Sequence, residues 1–451
     1  MIKRGIFKAN DIRGITEGPE PQWDADGAYA IGAALVDVLD LNAAEGALVV
    51  GQDMRVSSPT LAAAFVDGVI SRGADVIDIG LASTDELWFA SGRLRLPGAM
   101  FTASHNPGEY NGIKFCLAAA RPIVPAQLIE IANRAIETDP VPAAARGEYR
   151  EQDLLPAYAD HLHSLVDLTG IRHLKVVVDA GNGMAGHTLP AVLGISDLDI
   201  VGLYTDPDGT FPNHAPNPLE PENLVDAQRA VRDHGADLAL VFDGDADRCF
   251  IIDERGEVVS PSAVTGMIAS QELNREAGAT IVINKITSWS VREIVRDAGG
   301  RVVITKVGHT FVKAAMAEYD AIFGGEHSAH YYFREFWGAD TGMLAAMHVL
   351  ALVGRSDKPL SELAARFTRY VASGEINTLV DDQKLIMDKV AEAFADRGAQ
   401  DRLDGLTVAG DDWWINVRPS NTEPLLRMNV EASSGERMAE LRDEALGLIR
   451  T

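Results

Sequence analysis

The sequence is poor in cysteine, with only Cys116 and Cys249 in 451 residues. Two cysteines exclude a disulfide framework and fit a reducing compartment. Long apolar runs are missing: none approaches the ~20 residues needed to span a bilayer. The opening stretch, MIKRGIFKANDIRG, has no apolar core of the kind a secretory signal carries. Together these absences lead us to expect a cytoplasmic protein. Positive charge is scarce as well: 40 Lys and Arg stand against 66 Asp and Glu, a formal net charge of −26. Long-range repulsion then disfavours nucleic acid and anionic membrane as partners. An anionic small molecule would need a local cluster of Arg and Lys. There is no low-complexity tract and no repeat recognisable residue by residue.

What remains is an ordinary globular balance, 47% hydrophobic and 24% charged. The length suggests about three or four domains. Apolar runs at 47–50, 76–79, 99–101, 174–178, 238–242, 281–283, 302–304 and 321–323 read as strands. Amphipathic or apolar stretches such as 59–70, 154–168 and 343–353 read as helices. Their alternation implies βαβ units and mixed or mostly parallel sheets. The Pro- and Ala-rich stretch 140–146 reads as a linker. The last segment, with a helix at 383–395 and strands at 413–417 and 425–430, reads as α+β. We therefore expect three mixed-sheet α/β domains plus a smaller C-terminal α+β domain around a central cleft. The domains are expected at 1–145, 146–252, 253–367 and 368–451.

Four short motifs follow predicted strands, where open α/β sheets place their ligands. In Thr102-Ala103-Ser104-His105-Asn106-Pro107, a small hydroxyl sits on an exposed turn and can carry a phosphate if cations surround it. An ordinary Ser/Asn/Pro turn is the competing reading. In Asp243-Gly244-Asp245-Ala246-Asp247-Arg248, carboxylates alternate with small residues. Read as an extended loop, this turns the three acids to one side, and a hard divalent cation is their natural compensation. A solvated acidic turn is the alternative. Gly324-Gly325-Glu326-His327-Ser328-Ala329-His330 offers groups for sugar hydroxyls. Arg418-Pro419-Ser420-Asn421-Thr422-Glu423-Pro424 offers a phosphate nest. Basic residues lie near Arg13 and Lys114, where surface charge is the plainer reading.

The motifs TASHNP, DGDADR, GEHSAH and RPSNTEP, in that order, resemble the α-D-phosphohexomutase family over essentially the whole chain. GEHSAHYYF leans towards its phosphomannomutase and phosphoglucomutase branch. The resemblance implies a phosphomannomutase working through a phosphoserine and a hexose 1,6-bisphosphate intermediate, acting on glucose phosphates too. It implies that Ser104 carries the phosphate beside His105, and that Asp243, Asp245 and Asp247, with an oxygen of Ser104, hold Mg²⁺. Arg13, Lys114 and Arg248 would supply cations. Lys285, His309, Glu326, Ser328 and His330 would contact the sugar. Arg418, Ser420, Asn421 and Thr422 would hold the non-reacting phosphate. Hexose phosphates are then the partners, and the chain is expected as a monomer or weak homodimer. Two departures stand out: Asn10 where many relatives have Tyr, and Gln52 where many have Arg. Phosphoglucosamine mutase, a serine/metal phosphosugar phosphatase and a silent phosphosugar-binding protein are the alternatives.

Overall fold

Buried runs of Val, Ile, Leu and Ala form the sheets of four α/β domains, three larger and a smaller C-terminal one. The computed structural model describes residues 1–41, 46–194, 197–420 and 424–450. They form two compact units, Met1–Val259 with Ser328–Ser361, and Ser260–His327 with Glu362–Thr451.

The first unit carries two sheets. One runs in the order Asp11–Ile15, Tyr110–Leu117, Gly98–Phe101, Ala47–Gln52, Asp75–Leu81, Tyr149–Glu151, with Arg121–Pro122 added beside Tyr110–Leu117. Its middle is parallel and its Asp11 edge antiparallel. Two glycines bring the helices on its face together. A Cβ on Gly32 of helix Ala25–Leu39 would lie 2.2 Å from the Phe65 carbonyl oxygen of helix Ser58–Ser71, and one on Gly68 2.1 Å from that of Tyr29. Only glycine permits this backbone contact. The second sheet runs Val258–Val259, Cys249–Asp253, Leu238–Phe242, Leu174–Asp179, Leu198–Leu203. Its strand Leu238–Phe242 is wholly buried, as expected where both sheet faces are covered. The hairpin Tyr331–Phe333 with Ala339–Asp340 and the apolar helix Gly342–Gly354 also belong to this unit.

In the second unit, strands Arg301–Thr305, Thr280–Asn284 and Phe323–Gly325 are parallel neighbours. The C-terminal sheet is antiparallel throughout, in the order Val371–Leu379, Leu425–Ala432, Trp413–Pro419, Leu406–Ala409, Ala399–Asp401. One face packs Ile415, Val417, Leu426, Met428 and Val430 against helices Gln383–Ala393 and Gly435–Ile449.

Three sequence expectations need correction. The strand placed at 321–323 is Phe323–Gly325, because Ala321 still bonds back to the preceding helix while Gly324 and Gly325 pair with Val282 and Ile283. A Cβ on Gly325 would meet Thr265 Oγ1 at 2.5 Å, so poor strand formers are required there by close packing. The helix expected at 154–168 is Leu155–Leu165. The one expected at 383–395 stops at Ala393.

Candidate active site

Ser104 leaves the strand Gly98–Phe101 in a left-handed conformation, φ 50°. That region is costly for a residue with a Cβ and persists only when its surroundings over-determine it. Here the constraint is Arg55, fully buried behind the loop. Its guanidinium donates to the carbonyls of Ser104 (2.8 Å), Asn106 (2.6 Å), Pro107 (2.7 Å) and Tyr110 (2.9 Å). Asp53 holds Arg55 from the other side at 3.1 Å and accepts from Ser58 Oγ at 2.6 Å. The Ser104 amide donates to Thr102 Oγ1 at 2.9 Å.

The held hydroxyl faces the acidic loop. Ser104 Oγ donates to Asp243 Oδ2 at 2.9 Å and lies 3.3 Å from His105 Nδ1. Burial and the nearby Arg248 and Arg13 push the His105 imidazole well below its ordinary range, so it is neutral. The acidic loop is not the extended segment expected. It is a tight turn with Ala246 left-handed (φ 62°), and the turn gathers oxygens of Asp243, Asp245 and Asp247 within 4.8 Å of one another. Gly244 makes this possible, because a Cβ there would meet the Ser104 carbonyl oxygen at 2.4 Å.

All three carboxylates are buried. Lys114 bridges two of them, at 2.6 Å to Asp245 Oδ2 and 2.5 Å to Asp247 Oδ2, and Arg248 Nε bonds Asp243 at 2.8 Å. Thr84 Oγ1 adds a bond to Asp245 at 2.6 Å. Burial pushes the Asp243 carboxyl up to about 7, against the pull of Arg248. Burial also raises Asp245, but Lys114 outweighs it and holds that group below the usual carboxylate range. Three carboxylates thus share two paired cations, Lys114 and Arg248. Asp245 Oδ1 and Asp247 Oδ1 are buried without a hydrogen-bond partner among the described residues. Buried lone pairs without partners are costly, and oxygen atoms from three carboxylates suit a hard divalent cation. The site therefore fits a metal ion.

Other expected residues stand around this centre. Arg13 donates to Asn106 Oδ1 and Asp11 Oδ2, both at 2.8 Å, next to the serine loop. Ser328 Oγ lies 2.9 Å from His330 Nδ1, whose Nε2 is 3.6 Å from Asp247. His330 also stacks on Tyr332. Asp340 joins His330 and Asp247 in a second group with metal-ligand spacing.

The second unit gathers the rest. Glu326 is buried and accepts from Asn284 Nδ2 and the Gly308 amide, both at 3.1 Å. Lys285 is ion-paired with Asp401, and His309 opens the helix His309–Glu318. Arg418 lies within the strand Trp413–Pro419, bonds Asn429 at 2.8 Å and is ion-paired with Glu375. Ser420 is buried just beyond that strand. Asn421 and Thr422 fall outside the described residues. The motif GEHSAH is thus divided: Glu326 and His327 belong to one unit, Ser328 to His330 to the other. Arg55, Thr84 and Asp340 went unnoticed in the sequence. Asp53 and Arg55, just past the strand Ala47–Gln52, were the available signal.

The serine turn expected to be exposed is buried, with Ser104 only 4% accessible, because Arg55 and the acidic loop close over it. A buried serine pinned against an acidic trio able to bind a metal, on α/β domains, fits a phosphoryl-transfer protein. Comparison with known proteins makes this specific. Four models of the phosphoglucomutase/phosphomannomutase family match in order: the alpha/beta/alpha domains I, II and III at residues 4–141, 156–256 and 261–370, and the C-terminal domain at 375–448. A phosphomannomutase of Salmonella typhimurium is 40% identical over 99% of both chains. Phosphohexose mutases of Xanthomonas campestris are 39% identical over 98% of both. The crystal structure of a phosphoglucomutase/phosphomannomutase family protein from Burkholderia thailandensis superposes with a TM-score of 0.90 at 32% identity, covering 100% of this chain and 98% of that one. The chain belongs to the phosphoglucomutase/phosphomannomutase family and is a phosphohexomutase, an isomerase. Enzymes of this family generally use a metal ion, and the acidic cluster is able to bind one.

Proposed function

We propose that the protein is a phosphomannomutase that interconverts mannose 1-phosphate and mannose 6-phosphate and also accepts glucose phosphates. The observation that carries the reading is Ser104 Oγ held 2.9 Å from Asp243, inside the acidic cluster. Ser104 carries the phosphoryl group. Asp243, Asp245 and Asp247, with an oxygen of that group, would hold Mg²⁺, which supplies charge neutralisation to the transferring phosphoryl. Arg13, Lys114 and Arg248 add cationic neighbours, and His105 orients the serine.

The serine O–P bond breaks as a bond forms to the free hydroxyl of a hexose monophosphate, giving a hexose 1,6-bisphosphate. The bisphosphate reorients and returns its other phosphoryl to Ser104. Binding and positioning supply most of the rate in such transfers. Lys285, His309, Glu326, Ser328 and His330 contact the sugar, while Arg418, Ser420, Asn421 and Thr422 hold the non-reacting phosphate. The domains divide near 1–145, 146–252, 253–367 and 368–451. The chain works in the cytoplasm as a monomer or weak homodimer.

Coupled assays with mannose, glucose and glucosamine phosphates, bisphosphate supplied, test the reading. Mannose and glucose phosphates should both be isomerised, since groups reading the hydroxyls they share discriminate weakly between them. Exclusive use of the glucosamine substrate, or release of inorganic phosphate without isomerisation, overturns it. The Ser104→Ala variant should fold, carry no phosphate by intact mass, and lose nearly all turnover.

A further inference from the structure

Within the acidic trio, Asp245 is gripped twice by one residue, Thr84, which opens the helix Thr84–Leu94. The Thr84 hydroxyl donates to Asp245 Oδ2 at 2.6 Å, and the Thr84 amide donates to the Asp245 carbonyl at 3.0 Å. An amide in the first turn of a helix has no acceptor within the helix, and here the acidic loop supplies one. Thr84 thereby fixes both the main chain and the side chain of Asp245 across 161 positions of sequence.

The two carboxylate oxygens of Asp245 are left unequal. Oδ2 accepts from Thr84 and from Lys114 Nζ, both at 2.6 Å. Oδ1 is buried and has no hydrogen-bond partner among the described residues. Two donors on Oδ2 resist rotation of the carboxylate and leave Oδ1 as the oxygen open to a cation. Lys114 alone would hold Oδ2 less firmly, because its ammonium rides on a flexible stem and is shared with Asp247 at 2.5 Å. The threonine hydroxyl carries no charge, so it orients the carboxylate without cancelling its attraction for a cation.

Thr84 is itself held on rigid elements. Ser83 caps its helix, accepting from the Glu86 amide at 3.2 Å. The adjoining Asp85 is buried and accepts from Tyr158 of helix Leu155–Leu165 at 2.7 Å and from Thr341 at 2.6 Å. Thr341 caps the helix Gly342–Gly354. Gly342 in turn packs against the acidic loop, where a Cβ would meet the carbonyl oxygens of Ala246 at 2.8 Å and Arg248 at 2.9 Å. Three helices are therefore tied together where the loop is gripped. Groups that orient a metal's ligands commonly set its affinity as much as the ligands do.

We propose that Thr84 is a positioning residue of the metal centre: its hydroxyl holds Asp245 Oδ2 so that Oδ1 is presented to a divalent cation shared with Asp243 and Asp247. The proposal rests on reading the acidic trio as a metal site.

The test uses the full-length protein, with preparations matched for phosphate content by intact mass. Two quantities are measured: the dissociation constant of Mn²⁺, from the electron paramagnetic resonance signal of the free ion, and the Mg²⁺ concentration that gives half-maximal isomerase activity. Thr84→Val keeps the shape and loses the hydroxyl. It should weaken Mn²⁺ binding about tenfold and raise the Mg²⁺ requirement in proportion. Thr84→Ser restores the hydroxyl and should recover most of both. A folded Thr84→Val variant that binds Mn²⁺ as tightly as the wild type overturns the proposal. A Thr84→Ser variant as weak as Thr84→Val also overturns it, since the methyl group and not the hydroxyl would then matter. If Thr84→Val does not fold, Thr84→Ala read against Thr84→Ser decides by the same criteria. Wild-type protein that binds no Mn²⁺ overturns the metal reading of the trio and the role of Thr84 with it, whereas loss of the Thr84 effect alone leaves the metal reading standing.

Discussion

Ser104 shows how much of a candidate site one residue can announce and how much it cannot. The hydroxyl, its His neighbour and the three carboxylates were legible because they sit together in short motifs after apolar strands. The agent that holds the hydroxyl was not. Arg55 collects four carbonyls from residues 104 to 110, and nothing in the linear order marks those carbonyls as its partners. Lysine in its place keeps the charge but cannot present a planar fork to several acceptors. Arg55→Lys should therefore let the serine loop relax by a fraction of an ångström to about 1 Å. Misplacement on that scale costs on the order of 10²-fold in rate. Turnover measured well below the variant's melting temperature checks this. A variant with wild-type kcat would show that the left-handed Ser104 is held by something else.

Among the secondary-structure elements, helix Thr84–Leu94 carries a tension that periodicity does not reveal. Ser83 caps it, and its first turn buries Asp85 and Glu86. Asp85 accepts from Tyr158 at 2.7 Å and Thr341 at 2.6 Å. Glu86 Oε2 is buried without a hydrogen-bond partner among the described residues and lies 3.8 Å from His187 Nε2. Burial, reinforced by Asp85, lifts Glu86 from an ordinary 4.5 to about 8. Between those values the folded chain keeps a proton that the unfolded chain has released. Stability must then fall as pH rises through that window. Glu86→Gln removes this dependence, so the variant should match the wild type near pH 5 and exceed it near pH 8 in urea or thermal unfolding. Parallel profiles across that range would mean that Glu86 is already ionised in the fold. The sequence did mark the apolar elements of the sheets, because buried parallel strands are continuous apolar runs. It misplaced Phe323–Gly325, where close packing on Thr265 overrides strand propensity.

Across the whole molecule, four domains were legible because three of them repeat an alternation of strand and helix that the antiparallel C-terminal segment breaks. The partition of the chain into units was not. The boundary falls inside the GEHSAH motif and sends Ser328–Ser361 with the serine and acidic loops, a long-range outcome that no local pattern encodes. This partition bears on what metal removal should do. The acids Asp243, Asp245 and Asp247 belong to one unit, and the apolar cluster of the C-terminal sheet, from Ile386 to Ile449, belongs to the other and contains none of them. A bound cation stabilises what it touches by mass action. Without it the acidic trio keeps Lys114 and Arg248 as its closest counter-charges among the described residues. Exhaustive chelation should thus abolish isomerase activity, and added Mg²⁺ should restore it. Amide exchange should rise in peptides covering 100–117 and 238–253 and stay constant in those covering 413–419 and 425–432. The folded cores should survive, with far-UV circular dichroism unchanged. Full activity after chelation would remove the metal from the mechanism. Exchange rising equally in the C-terminal sheet would show that the cation supports the fold at large rather than the serine centre.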